Sequence, residues 1–466
     1  MILSPFQHSL QSQLSFAELS GDFNPIHLDS IRARRTMFGQ IVAHGIHNVL
    51  CGIEKFLKIH PLSINRLSVT FRNPVFLKEN IIVVPSNIFK NTIELSLQCQ
   101  GLETTKIRLY GKTQSQKPTS FSLKTTNFSR QPADRTFEDI KNDLGSFKLS
   151  GNVNAIKSAF PHSTRALGID GVARLLGLSK LIGMRCPGLH SLFSGFDVVF
   201  SNQRSDEPTQ YWVTHSDDRI SMITITLKGG GMTGKVNAFV RPQPILQPSI
   251  TTVKPHVTGT PFKKMRALII GGSRGLGEIT AKIVAAGGGE TAITYLSGKQ
   301  DAEFVAKDIS KYGCTCKVLQ LDVLKPTIAI QSLRKRGWLP THLMYFATPR
   351  ISSRPDKDNT DKFYNIYSNG LIKVVEDLLS QSEGTLTLFY PSSIYVQEAP
   401  ANFTQYATAK RKGEMTAKSL ERSTPKLKVI IERLKPLATD QSATLLNVDL
   451  ASPLETMVQI LTKKLL

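Results

Sequence analysis

Apolar residues spaced for helices alternate along this chain with apolar residues spaced for strands, and the order of the two changes twice. In residues 1–115, helical spacing in the first half, including Ile46–Ile59, gives way to four strand-like runs: Leu67–Phe71, Ile81–Val84, Thr92–Leu97 and Thr105–Tyr110. Residues 144–245 repeat that order. Arg165–Met184 sets Leu167, Val172, Leu175, Leu176, Leu178, Leu181 and Ile182 at helical spacing, and Phe196–Phe200, Gln210–Thr214, Ile220–Ile225 and Gly234–Val240 follow as strands. One long helix wrapped by an antiparallel sheet, twice over, predicts a duplicated α+β unit. Residues 264–466 instead alternate strands and helices as in an α/β, parallel, doubly wound sheet. Between these parts lie Gln114–Asp143, rich in Ser, Thr, Lys, Gln and Asn, and Arg241–Lys264, which holds five prolines. Both read as extended linkers.

Composition narrows the setting. With 40% hydrophobic and 20% charged residues, the chain is of ordinary globular type. It has no apolar run of about 18 residues, so no transmembrane segment is expected. Met1–His8 lacks the basic start and apolar core of a signal peptide. Five scattered cysteines suit a reduced, cytoplasmic setting, and Cys314-Thr315-Cys316 lacks metal-pair spacing, so no metal is expected. The net charge of +22 is spread along the chain: residues 264–466 carry 28 basic and 19 acidic side chains, and the rest 30 and 17. Such a balance suits nucleic acid, an anionic membrane face, or an acidic or phosphate-bearing substrate carrier. No nucleic-acid motif accompanies it, so nucleic acid is not expected as a partner.

Two constellations carry chemistry. The first is Ser20-Gly21-Asp22-Phe23-Asn24-Pro25-Ile26-His27-Leu28-Asp29, followed by Ala43-His44-Gly45-Ile46-His47. It sets a carboxylate and an imidazole five residues apart in a tight loop, with a glycine-started helix further on. Removing water from a 3-hydroxyacyl thioester takes a weakly acidic C2 proton and protonates a poor leaving group, so it needs two groups on one side of the substrate. Asp22 and His27 supply such a pair. Asn24 fixes the loop and Pro25 stiffens it. The Gly45 N–H, at a helix start, suits the charge developing on the thioester oxygen. Taken singly, Asp22 reads as a turn cap and His27 as a packed surface histidine; the pattern makes them a pair. His44, His47 and His190 read as structural or substrate-flanking. With Phe71-Arg72-Asn73-Pro74-Val75-Phe76, the stretch 14–110 resembles the R-specific enoyl-CoA hydratase (MaoC-like) family of hot-dog folds. The resemblance implies a hot-dog domain over 1–115 in which Asp22 and His27 hold the water. Residues 144–245 have no such pair and read as a second hot-dog domain, giving a double hot dog with one active site.

The second constellation is Gly271-Gly272-Ser273-Arg274-Gly275-Leu276-Gly277 between a strand and a helix start, with Ser393, Tyr406 and Lys410. Glycines let backbone approach a pyrophosphate at a helix N-terminus. A tyrosine hydroxyl is a weak acid unless a neighbouring cation lowers its pKa, and Lys410 lies one helical turn from Tyr406. The set resembles the short-chain dehydrogenase/reductase family over all of 264–466. That resemblance implies a Rossmann domain, Ser393 holding the substrate oxygen, Asn369 anchoring a proton-relay water, and Asp322 and Val323 on the adenine side. It also implies a nicotinamide-side wall at Ala347, where Tyr345-Phe346-Ala347-Thr348-Pro349 departs from the family's usual run. The second strand of this part ends in Leu296-Ser297-Gly298-Lys299 without an acid, so Arg274 with Ser297 or Lys299 suits a ribose 2′-phosphate, and NADPH is the expected cofactor.

Together these predict an enzyme that reduces a 3-oxoacyl thioester with NADPH and dehydrates the 3R-hydroxyacyl product, the carrier being CoA or an acyl carrier protein. Fusion raises the effective concentration of the intermediate. Two alternatives stay open. One is hydration followed by oxidation in the degradative direction, and the other is an acyl-binding protein without chemistry. The oligomeric state is also open, a homodimer included.

Overall fold

The computed structural model describes residues 3–89, 92–112, 123, 129–201, 207–351, 357–382, 384–442 and 450–465. Of the stretch 114–143, residues 114–122 and 124–128 lie outside those described. The chain forms two compact units, Met1–Gln243 and Pro244–Ala443 with Val448–Leu466.

The first unit is built on one antiparallel sheet. Its strands are β1 (Leu3–Phe6), β2 (Ser63–Phe71), β3 (Ile81–Phe89), β4 (Thr92–Cys99), β5 (Leu102–Lys112), β6 (Leu144–Phe147), β7 (Ser191–Phe200), β8 (Thr209–Asp217), β9 (Met222–Gly229) and β10 (Met232–Val240). Their order is β1-β3-β4-β5-β2-β7-β10-β9-β8-β6, so each half runs outward from the centre in the same sequence. The halves meet where β2 pairs antiparallel with β7, Leu67 opposite Val198 and Val69 opposite Phe196, all four buried. The two edge strands, β1 and β6, have four residues each, too few for alternation to mark them.

A helix precedes each central strand: Gly45–Leu57 before β2 and Pro161–Lys180 before β7. Ile46, Val49, Leu50, Ile53 and Phe56 recur at three- and four-residue steps and are fully buried. Each contributes about 1.5–3 kcal/mol by leaving water. Val172, Leu175, Leu176 and Leu178 of the second helix join the same core. Glu54 ties the two helices together. Its carboxylate accepts the N–H groups of His162 and Ser163 at 2.7 Å each, meeting donors that a helix start leaves unpaired. The long helix passes into a π-helical turn, Leu181–Arg185, and then a cis Cys186–Pro187 bond. Of the polar stretch after β5, residues 129–143 pack in order: Thr136 caps the short helix Phe137–Ile140, and Arg135 pairs with Asp143 at 2.9 Å.

The second unit is a six-stranded parallel sheet of β11 (Arg266–Ile270), β12 (Glu290–Tyr295), β13 (Cys316–Gln320), β14 (His342–Tyr345), β15 (Leu386–Ser393) and β16 (Leu427–Leu434), ordered β13-β12-β11-β14-β15-β16. Each face carries its own core. One gathers Ile279 and Ile283 of helix Gly275–Ala286 with Met457 and Leu461 of Pro453–Lys464. The other gathers Leu333, Leu371, Val374 and Ala417. The proline-dense stretch after β10 is not extended throughout. Ser249 caps a helical turn, Ile250–Val253, and Ile250, Val253, Val257 and Phe262 are buried in the first of those cores. Asp308 holds the turn by accepting the Ile250 N–H at 3.0 Å and pairing with the buried Lys282 ammonium at 3.0 Å.

Candidate active sites

In the first unit, the helix Leu10–Ser20 ends at Gly21, which turns in the left-handed region (φ 77°) and releases the chain into the Asp22–His27 loop. Asn24 caps the next turn, accepting the Ile26 N–H at 3.2 Å, and Pro25 occupies its first position. Asp22 is 2% exposed. Its two oxygens accept the Asn24 N–H at 3.2 Å and the Ser179 hydroxyl at 2.7 Å. The His27 Nδ1 lies 2.7 Å from the Val42 carbonyl, which leaves Nε2 as the nitrogen open to chemistry. Ligand-capable atoms of Asp22, His27 and His44 all lie within 4.8 Å of one another. Burial raises the Asp22 pKa, opposed by the charge of His27 and by the hydrogen bonds from Ser179 and Asn24. Burial lowers that of His27, opposed by Asp22 and Val42 and reinforced by Arg241. Gly45 starts its helix directly after His44, beside this pair.

The loop is held from residues far along the chain. The Asn24 side-chain amide donates to the carbonyls of Gly183, Gly188 and Leu189 at 2.8, 3.1 and 3.3 Å. A Cβ at Gly183 would stand 2.1 Å from an Asp22 oxygen, so only glycine lets the π-helical turn come this close. In Cys186-Pro187-Gly188-Leu189, for which the sequence offers no mechanism, the last two carbonyls thus hold the Asn24 amide. Sequence reasoning misses Ser179, Gly183 and Arg241. The one trace is a serine and a glycine inside the apolar run Leu175–Met184. Arg241 donates to Leu189 O at 2.6 Å, and burial with the nearby Arg32 lowers its pKa to about 10. His190 pairs with Asp134 at 3.0 Å.

In the second unit, β11 ends in a turn at Gly271 (φ 77°), whose N–H donates to the Thr294 hydroxyl at 3.1 Å. Ser273 is buried, and helix Gly275–Ala286 follows, with Leu276 partly buried against the core. A Cβ at Gly277 would stand 2.3 Å from Gly271 O, so helix start and turn are in close contact. Arg274 faces Asp440 at 3.4 Å, a carboxylate that the sequence reading does not place there. Ser297 is exposed after β12, and Lys299 pairs with Glu303 at 3.6 Å. Asp322 folds back on itself, accepting the Leu324 N–H at 2.9 Å, and Val323 is buried. Ala347 packs at the edge of the Leu333 core, after β14.

Ser393 ends β15, and Tyr406 and Lys410 lie one turn apart on the helix Thr404–Ser423. Ser393 hydrogen-bonds Tyr406 and lowers its pKa, but burial outweighs this and pushes it up to about 12. The sequence reading has the Lys410 ammonium lowering that pKa. It instead donates to Pro391 O at 2.8 Å and sits 4.3 Å over the Tyr367 ring. Burial, opposed by Glu414, lowers the Lys410 pKa to about 7. Asn369 lies in a π-helical turn, Asn365–Gly370, and donates to Asn365 at 2.8 Å.

No helix among the described residues is long and apolar enough to cross a membrane. No curated protein matches the chain. Among solved structures, the chain is similar to acetoin dehydrogenase YohF from Salmonella typhimurium (17% identity, 43% of this chain and 90% of that one, TM-score 0.37). It is similar also to an alcohol dehydrogenase from the archaeon Thermococcus sibiricus, complexed with 5-hydroxy-NADP (16%, 43% and 90%, 0.38). A third is a short-chain dehydrogenase from Burkholderia cenocepacia J2315, in complex with NADP (20%, 43% and 91%, 0.37). Residues 5–86, which hold Asp22, His27, His44 and Gly45, match the family described as MaoC like domain.

Proposed function

We propose that the chain is a bifunctional acyl-thioester enzyme. Its first unit is a double hot dog, with hot-dog domains at 1–115 and 144–245, that removes water from a 3R-hydroxyacyl thioester at Asp22 and His27. Its second unit, the Rossmann domain of 264–466, reduces a 3-oxoacyl thioester at Ser393, Tyr406 and Lys410. The observation that carries the reading is the meeting of Asp22 and His27 within 4.8 Å, beside the start of the Gly45 helix, inside the MaoC-like stretch.

With Nδ1–H on the Val42 carbonyl, His27 presents an Nε2 lone pair. That lone pair takes the C2 proton of the hydroxyacyl group. The C3–O bond then breaks, and the proton leaves with the hydroxyl as water. Asp22, held by Ser179 and Asn24, orients that hydroxyl. The Gly45 N–H, at the positive end of its helix, stabilises the thioester oxygen as charge builds there.

In the second unit, Gly271 turns in the left-handed region and Gly277 packs directly on it, which brings the turn's backbone against the N-terminus of helix Gly275–Ala286, a fit for a dinucleotide pyrophosphate. Ser273, Arg274, Gly275, Leu276, Asp322, Val323 and Ala347 would line it. NADPH, when bound, supplies the hydride. Tyr406 gives its proton to the reduced oxygen while Ser393 holds that oxygen. The Lys410 ammonium faces Pro391 in this structure, so its share in lowering the Tyr406 pKa requires a different rotamer.

The experiment is to supply 3-oxoacyl-CoA and NADPH and follow the products by mass spectrometry. Hydroxyacyl and enoyl products both support the reading, hydroxyacyl alone removes the dehydratase half, and neither product sinks it. One observation favours the degradative direction with NAD instead. Asp440 opposite Arg274 competes with a 2′-phosphate. Faster turnover with NAD than with NADP on a 3R-hydroxyacyl-CoA would select that reading.

A further inference from the structure

His44 sits behind the Asp22–His27 pair with oxygen against both of its ring nitrogens. Its Nδ1 lies 2.7 Å from Gln13 Oε1. That atom is fixed as an oxygen twice over: it accepts the His44 backbone N–H at 2.9 Å, while the amide nitrogen of Gln13 donates to His47 Nδ1 at 3.1 Å. On the far edge, His44 Nε2 lies 3.0 Å from the Asp22 backbone carbonyl and 4.0 Å from the Asp22 carboxylate. A neutral imidazole carries one N–H, so it would press a lone pair against one of these oxygens inside a fully buried site. The His44 ring stacks on that of His27, centroids 3.9 Å apart at 28°. Two imidazolium ions cannot share that contact cheaply, and His27 already spends its only N–H on Val42.

We infer that His44 is a positioning residue that holds the site's resting proton, as the imidazolium counter-ion of an ionised Asp22, and thereby keeps His27 neutral as the base. The inference rests on the dehydratase reading of this site. Burial pulls the His44 pKa well below the ordinary imidazole range, reinforced by His27, His47 and His8 and opposed by the Asp22 carbonyl, so it is the hydrogen-bond geometry that argues for the charge. The remaining neighbours are Phe16, its ring tilted 48° to that of His44 with centroids 4.8 Å apart, and Arg241, whose charge reaches His27. Against the burial term stand the Gln13 oxygen and a carboxylate whose own hydrogen bonds from Ser179 and Asn24 favour ionisation. His44 keeps its proton throughout the reaction. Its charge lowers the proton affinity of His27, so the proton taken from C2 passes to the departing hydroxyl and is not retained.

The protonation state is read directly by NMR of the full chain with ¹⁵N-labelled histidine, assigned by His44→Gln and His27→Gln. At pH 7.5, His44 is expected to show two protonated ring nitrogens and His27 one. A non-protonated nitrogen on His44 overturns the inference whether or not the protein turns over. Kinetics give the second arm, with hydration of crotonyl-CoA as the assay. His44→Gln is expected to lower kcat more than it changes KM, and to move the acid limb of kcat/KM to higher pH by about a tenfold gain in His27 proton affinity. Gln13→Leu, which spares His44 and removes one acceptor, should move the limb the same way. An acid limb that stays in place in both variants overturns the inference, since a merely structural role would leave it there. Absence of hydration in the wild type with the expected NMR pattern sinks the dehydratase reading and leaves the proton assignment standing.

Discussion

The two candidate sites differ in where their neighbours come from. Asp22 and His27 lie five residues apart, but their loop is held largely from far along the chain: Ser179, which donates to Asp22, and the Gly183, Gly188 and Leu189 carbonyls, which accept from Asn24, all come from the other half of the first unit. Ser393, Tyr406 and Lys410 fall on one strand end and one helix of the second unit, and Lys410 is held by Pro391 two residues before Ser393. The first plan spreads a buried charge over many partners. The second leaves a buried ammonium with one carbonyl, two aromatic rings and the charge of Glu414, which does not outweigh its burial. A half without a counterpart of Asp22 and His27 can therefore serve as scaffold for the half that has them, whereas a parallel sheet builds its site locally, at its strand ends.

The largest expected effect separates the two sites outright. Asp22→Asn or His27→Ala should each cost about 10²–10⁴-fold in enoyl-CoA hydration and leave reduction of 3-oxoacyl-CoA unchanged. Tyr406→Phe should do the reverse. Parallel assays of the two reactions on each purified variant would check this, and one substitution that silences both breaks the comparison.

Next in size is a test of the borrowed scaffold. Gly183→Ala places a methyl group where the Asp22 carboxylate now stands. Displacing a catalytic group by about 1 Å costs about 10²-fold, so hydration should fall by that much while circular dichroism stays native. A variant that hydrates at the wild-type rate would show that the second half does not position Asp22.

Much of this was legible in the residues and some was not. The order of helices and strands follows from periods of 3.6 and 2, which is why both sheets and the helices Gly45–Leu57 and Pro161–Lys180 are foreseeable to within a few residues. Asp22 and His27 stand out by their spacing across one loop, and Tyr406 and Lys410 by theirs along one helix. Ser179 and Gly183 do not, because a serine in a leucine-rich helix means nothing until the strand order brings the helix end over the loop. Proline density misled at residues 250–262, where Pro255 sits inside a helical turn and buried Ile250, Val253 and Phe262 outweigh the linker-like composition. Asp440 was invisible beside Arg274 because the two lie 166 residues apart.

That pair offers a smaller effect. Asp440→Asn removes the carboxylate facing Arg274 and should raise kcat/KM for NADPH relative to NADH by about tenfold, equivalent to about 1.4 kcal/mol. Steady-state kinetics with both cofactors would check it. An unchanged ratio would mean that Arg274 does not meet the ribose 2′ position.

The smallest effect comes from the ammonium that the second plan leaves so sparsely partnered. Lys410 has its pKa lowered by burial to about 7 in the folded protein, from 10.5 in an open chain. Between those values the unfolded chain binds more protons than the folded one, so stability rises as pH climbs from about 7 toward 10, and the penalty is full below 7. The slope cannot exceed about 1.4 kcal/mol per pH unit from one group. Urea unfolding of the second unit can be followed through Trp338, buried in that unit, in a Trp212→Phe background. The midpoint should rise between pH 7 and 9 with Lys410 present and flatten in Lys410→Met. Equal slopes would mean that the ammonium finds an anionic partner in solution, and the contrast between a well-compensated first site and a sparsely partnered buried charge in the second would no longer hold.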